Sequence, residues 1–211
     1  MLVWFRYGVI LSAVLSVSLL IYLIFKTFSF STPKLNAPPS GSKKKGILFA
    51  LGRGMMPWEK ESAKKHLVTY GAGIFYHSGI FAAFFYLFLD LFFVKTSSYT
   101  DSIFIVLIAS ALVCGLGLLL KRSLLKYMRA ISSPDDFISN TLVDLFLLFS
   151  LFHAFGFQVR IFWYTAAILL FLYIPMGKIR HCFFFFYARI LFGSFYGRRG
   201  VYPPRQPSSY E

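Results

Sequence analysis

Five long apolar stretches, each closed by polar or charged residues, dominate the pattern along the chain: about 3–25, 67–94, 102–120, 137–157 and 161–187. A helix needs about 20 apolar residues to cross the hydrocarbon of a bilayer, so each stretch is long enough to span. The pattern therefore predicts an all-α polytopic membrane bundle of five transmembrane helices. Residues 31–42, rich in Pro, Ser and Gly, read as a loop. The first stretch ends directly at Lys26 with no small-residue cleavage site, so it reads as a retained span and not as a cleaved leader. In the last stretch Pro175 predicts a bend, and Lys178, Arg180 and His181 behind it predict that the final turns leave the hydrocarbon as an interfacial helix. Residues 1–190 thus read as one membrane domain and 191–211 as a tail.

Composition agrees. The 211 residues are 57% hydrophobic and only 14% charged, against about 45–50% and about 25% in soluble domains. An ordinary water-soluble domain is excluded, and a second one does not fit the length. Cys114 and Cys182 both lie in apolar runs without a CxxC spacing, so the chain itself offers no iron–sulfur ligand set or disulfide framework. GxSxG, HExxH and GxxxxGK[ST] patterns are missing, which disfavours a soluble-type enzyme.

The net charge of +14 would suggest nucleic acid in a soluble protein. Here its distribution matters more. With five spans, only Arg6, Lys95 and Arg160 fall on one side, and every other Lys and Arg falls on the other. The positive-inside rule then gives an outward N-terminus and an inward C-terminus, and accounts for the basic face with no nucleic acid partner.

Ionisable groups inside a membrane are costly and each requires a reason. Those within or bordering the spans are His66, His77, His153, His181, Asp90 and Asp144. Counting at about 1.5 Å per residue from the charged flanks, His77 and His181 come to a similar depth toward the inner side. Gly73 precedes His77 by four residues and Gly177 precedes His181 by four, so each histidine is expected to have a bare patch on its helix face. Two imidazoles at one depth with room between them are what a haem iron needs. Lys178, Arg180 and Arg189 near the inner boundary would suit its propionates.

Three segments carry a resemblance: Tyr76-His77-Ser78-Gly79-Ile80, Leu118-Leu119-Leu120-Lys121-Arg122, and Pro175-Met176-Gly177-Lys178-Ile179-Arg180-His181. Over about residues 60–190 the chain resembles the membrane b-type cytochromes of the respiratory nitrate reductase gamma family, which includes membrane subunits of heterodisulfide reductases and of the sulfite-reductase-associated complex. The resemblance implies five spans, haem b, and electron exchange between a membrane quinone of the menaquinone type and a cytoplasmic iron–sulfur subunit of heterodisulfide-reductase type. It also implies other membrane subunits and a prokaryotic cytoplasmic membrane. The family's second pair of haem ligands corresponds to Leu87 and Trp163 here, so one haem, on His77 and His181, is expected.

His153 and Asp90 fall in the outer half, where an imidazole and a carboxylate could hydrogen-bond a quinone and relay its protons. His153 bonding a neighbouring helix is the plainer alternative. A two-haem arrangement, pairing His66 with His181 and His77 with His153, also stays open. So does a haem-free membrane anchor or assembly subunit, whose histidines would only join helix to helix. Asp135 and Asp136, behind Ser132, Ser133 and Pro134, read as a helix start. The 52–62 loop and the 197–211 tail with Tyr202, Pro207 and Tyr210 read as too irregular for a domain; the tail reads equally as a recognition segment or as a disordered end, and the resemblance favours a partner.

Overall fold

A segment in lipid must satisfy its backbone N–H and C=O groups internally, and this chain does so with helices. The computed structural model describes residues 1–30, 37–59 and 65–204. Among the described residues the helices are α1 Leu2–Phe28, α2 Lys43–Leu51, α3 Leu67–Leu91, α4 Ser98–Leu124, α5 Lys126–Ala130, α6 Pro134–Ala154, α7 Arg160–Tyr173 and α8 His181–Arg198. Single 3-10 turns lie at Arg53–Met55, Pro57–Glu59 and Lys178–Arg180, and there is no strand among the described residues. The fold is all-α, and α1, α3, α4 and α6 are each long and apolar enough to cross a membrane.

The fifth expected span is broken. α7 stops at Tyr173 after 14 residues, about 21 Å of helix against about 30 Å of hydrocarbon, and it reaches span length only if counted together with α8. The cause is local. Pro175 has no N–H to continue the ladder, and the N–H groups of Met176 and Gly177 both turn back to the Tyr173 carbonyl, at 3.0 and 2.9 Å. Behind the break α8 continues to Arg198, so 191–198 is helical. Pro207 and Tyr210 of that expected tail, and residues 31–36 and 60–64, lie outside the described residues.

The chain divides into two compact units, Met1–Leu20 with Val68–Ile179, and Ile21–Leu67 with Arg180–Glu211. In the first unit, α3, α4, α6 and α7 each bury one stripe. The stripes include Tyr76, Gly79, Ala83 and Leu87 of α3, Phe104, Ile108 and Ala111 of α4, Phe146 and Leu147 of α6, and Trp163, Ala167 and Leu170 of α7. Outward faces stay apolar, with Phe81, Phe85, Val106, Val113 and Leu169 exposed, as suits helices whose surroundings are lipid and not water. Helix ends are marked by polar groups. The Ser97 hydroxyl accepts from the Thr100 N–H at 3.2 Å to start α4, and Lys121 and Arg122 lie in its last turn, where cations complement the helix dipole. Asp136 accepts from the Ser133 N–H at 2.8 Å to start α6.

The second unit is built on glycine. Ser42, the N-cap of α2, is followed at four-residue intervals by Gly46 and Ala50 on the helix; on α8, Gly193 and Gly197 have the same spacing. A Cβ on Gly46 would come within 2.5 Å of the Gly197 Cα, and one on Gly193 within 2.6 Å of the Ile47 Cα. The two backbones therefore touch, the arrangement that small-xxx-small spacing permits. The Ser40 and Gly41 N–H groups donate to the Arg198 carbonyl at 2.9 and 3.0 Å, and Tyr202 packs on Phe49 and Tyr196. At the end of α1, Thr27 donates to the Tyr187 hydroxyl at 2.8 Å and Phe28 meets the Tyr187 ring edge-on. The described part of the 52–62 loop holds only the two single 3-10 turns.

Substituting Gly193→Val should push α2 off α8, costing about 1–3 kcal/mol or more by overpacking. Gly117→Ala, where a Cβ meets nothing within 4 Å, should be neutral or slightly stabilising. Thermal unfolding in detergent, with protease sensitivity of residues 37–59, separates the two.

Candidate functional site

His77 sits in the first half of α3 on an exposed face. Its Nδ1 is 2.7 Å from the Gly73 carbonyl oxygen. A carbonyl only accepts, so Nδ1 carries the proton and the ring lone pair lies on Nε2, the usual arrangement of a metal-binding imidazole. An ideal Cβ on Gly73 would meet nothing within 4 Å, so the bare patch expected beside His77 is present. The residues of this half therefore fit a haem ligand.

His181 begins α8 in the second unit and is exposed, whereas His77 belongs to the first unit. The groups expected to help His181 are arranged differently. Gly177 lies in the break before α8, not on the helix face of His181, and the Tyr173 ring fills the space where its Cβ would be. The bare patch expected there is thus taken. Lys178, expected to serve a propionate, has its Nζ 2.6 Å from Asp136 and its N–H 2.9 Å from Asp135. The Tyr173 hydroxyl donates to Asp135 as well, and Arg122 reaches Asp136 at 3.0 Å. The two aspartates at the start of α6 thus do more than complement its dipole; they tie the α7 exit to the α4 end. Arg180 is exposed at the end of a 3-10 turn, and Arg189 lies 5.5 Å from the ring of Phe185 on its own helix. His66 is exposed just before α3, as an interfacial residue would be.

Asp90 and His153, chosen from sequence for the outer half, do meet. His153 Nε2 is 3.5 Å from one Asp90 oxygen and an Arg160 nitrogen 3.3 Å from the same atom, while the Tyr164 hydroxyl donates to the other at 2.5 Å. Three helix ends converge here, because Asp90 closes α3, His153 closes α6, and Arg160 and Tyr164 open α7. The His153 ring lies 4.3 Å from Trp163 and 5.9 Å from Tyr86, and Trp163 donates to Ser150 at 2.7 Å. Leu87 and Trp163 are both fully buried in this aromatic core. The arrangement can move protons: an imidazole and a phenol each reach one carboxylate, and exposed Arg160 offsets the carboxylate charge.

Sequence reasoning missed the partners. Arg160, Trp163 and Tyr164 recur at helical spacing from the first residue of α7, so one face collects all three, and that signal was available. It also left Asp144 without partners. Asp144 is 5% exposed in the core, accepting from the Tyr76 hydroxyl at 2.9 Å and from the Asn140 amide at 2.7 Å, with Gly115 leaving it room. Asn140 and Asp144, four apart in an apolar run, were its visible mark.

A double-mutant cycle on Tyr76→Phe and Asp144→Asn should give a coupling of roughly 0.6–1.7 kcal/mol, the range for hydrogen bonds between membrane helices, measured by unfolding in mixed micelles. No protein-family model, no curated protein and no solved structure matches the chain.

Proposed function

We propose that the protein is the haem b membrane subunit of a prokaryotic respiratory complex, with its N-terminus outside and its C-terminus in the cytoplasm. It passes electrons between a membrane quinone of the menaquinone type and a cytoplasmic iron–sulfur subunit of heterodisulfide-reductase type. The observation that carries the reading is the His77 ring: Nδ1 is fixed by the Gly73 carbonyl, Nε2 keeps the lone pair, and a bare glycine lies on the same membrane helix. His181 would supply the second imidazole and Arg180 and Arg189 the cations for the propionates, while Lys178 is held by Asp136. Bound there, haem b supplies reversible one-electron transfer.

Quinol oxidation releases two electrons and two protons, and Asp90 and His153 are suited to receive the protons. The imidazole accepts the proton of one quinol hydroxyl while the Asp90 carboxylate balances the imidazolium, releases it outward and then accepts the second, and Tyr164 and Arg160 keep the carboxylate aimed. A second reading, a haem-free anchor subunit, is favoured by Tyr173 over Gly177 and by the Lys178–Asp136 pair, both of which can be purely structural.

A reduced-minus-oxidised spectrum with pyridine-haem quantification on purified protein should give about one b haem per chain, lost in His77→Ala and in His181→Ala. Two haems would revive the pairings of His66 and His153. Folded protein without haem, after expression with ample haem, would leave the anchor reading. In the haem-loaded protein, His153→Ala should slow haem reduction by quinol about 100-fold or more while dithionite reduction stays unchanged; equal rates with quinol would remove His153 from the quinone site.

A further inference from the structure

The described residues of the second unit hold ten basic side chains, Lys26, Lys43, Lys44, Lys45, Arg53, Lys65, Arg180, Arg189, Arg198 and Arg199, and one acid, Glu59. Glu59 is already taken by Arg53 at 2.7 Å. A basic excess alone would follow from membrane topology. What it does not explain is the apolar surface beside the lysines. At about 100° per residue, Lys44, Leu48 and Leu51 share one face of α2, with Lys43 and Lys45 on its flanks. Leu48 is 72% exposed and Trp58, in the turn that follows, 57%.

This face cannot roll inward to bury its leucines, because the opposite face of α2 is held against α8 by Gly46, Gly193 and Gly197. α8 in turn receives the end of α1 through Thr27 and Phe28 on Tyr187, where an apolar helix of spanning length stops behind Lys26. α2 is thus mounted one helix away from the terminus of a membrane-length helix. Lysines bordering exposed Leu and Trp, next to such a terminus, fit the headgroup layer of a membrane, where ammonium groups meet phosphates and apolar side chains reach the acyl boundary.

We infer that α2 and Trp58 form an interfacial platform that lies in the membrane surface and selects anionic lipid headgroups through Lys43, Lys44 and Lys45. The inference is independent of haem.

The full-length protein in nanodiscs of phosphatidylcholine tests it, with about a fifth of the lipid replaced by dibrominated phosphatidylglycerol or by dibrominated phosphatidylcholine. The Trp58 signal is taken as the difference from Trp58→Phe. The brominated anionic lipid should quench Trp58 as if enriched roughly fivefold or more around the platform, the order expected from a few lysines near an anionic headgroup. The K43Q/K44Q/K45Q variant should bring the two lipids to parity, and Leu48→Glu should weaken quenching by both. Equal quenching by both lipids in the unsubstituted protein would overturn headgroup selection. Quenching by neither would place Trp58 in water, overturn the platform and leave this face to a protein partner.

Discussion

The structure rests on the need to satisfy polar groups where water is scarce. Backbone groups are satisfied within helices, and among the described residues no buried side-chain nitrogen or oxygen lacks a hydrogen-bond partner. Each exception to an apolar interior is therefore matched by another. Asp144 has Tyr76 and Asn140; Ser150 takes the Trp163 indole N–H and donates to the Phe146 carbonyl. An unpartnered polar group in such an environment would cost several kcal/mol, so these pairings fix which faces of α3, α4, α6 and α7 turn inward. The hydrophobic effect offers no such selection between helices already in lipid.

Charged groups collect at the helix ends for the same reason, and they form two clusters. At one, Asp135 and Asp136 gather Lys178, Arg122 and Tyr173. At the other, Asp90 gathers His153, Arg160 and Tyr164. The two are chemically distinct. The first is saturated with lysine and arginine and suits an anchor; the second contains an imidazole and a phenol and suits proton transfer. This contrast underlies the assignment of proton chemistry to Asp90 and His153 in the proposed function.

The spans were legible because apolar length is the strongest signal in such a chain, and α1, α3, α4 and α6 fall close to the boundaries read from it. The pairing of Asp90 with His153 was legible too, since depth counted from Lys95 and Arg160 holds along an unbroken helix. The same counting misled at Gly177. A four-residue interval puts two residues on one face only if the helix is continuous, and here Pro175 breaks it between them. The bend at Pro175 was legible, but α8 runs past 187 for another reason. The feature that fixes it to Arg198, Gly193 and Gly197 against Gly46, is a matter of backbone approach and leaves no trace in a hydropathy scan. Spacing of small residues would have revealed it.

The central proposal is that the imidazoles of His77 and His181 would hold one haem iron. Low-temperature electron paramagnetic resonance of the oxidised, purified protein tests it most directly. The account predicts a low-spin ferric signal of bis-imidazole type that disappears in His77→Ala and in His181→Ala alike. A signal that is high-spin only, or a low-spin signal that survives the loss of either histidine, would contradict it.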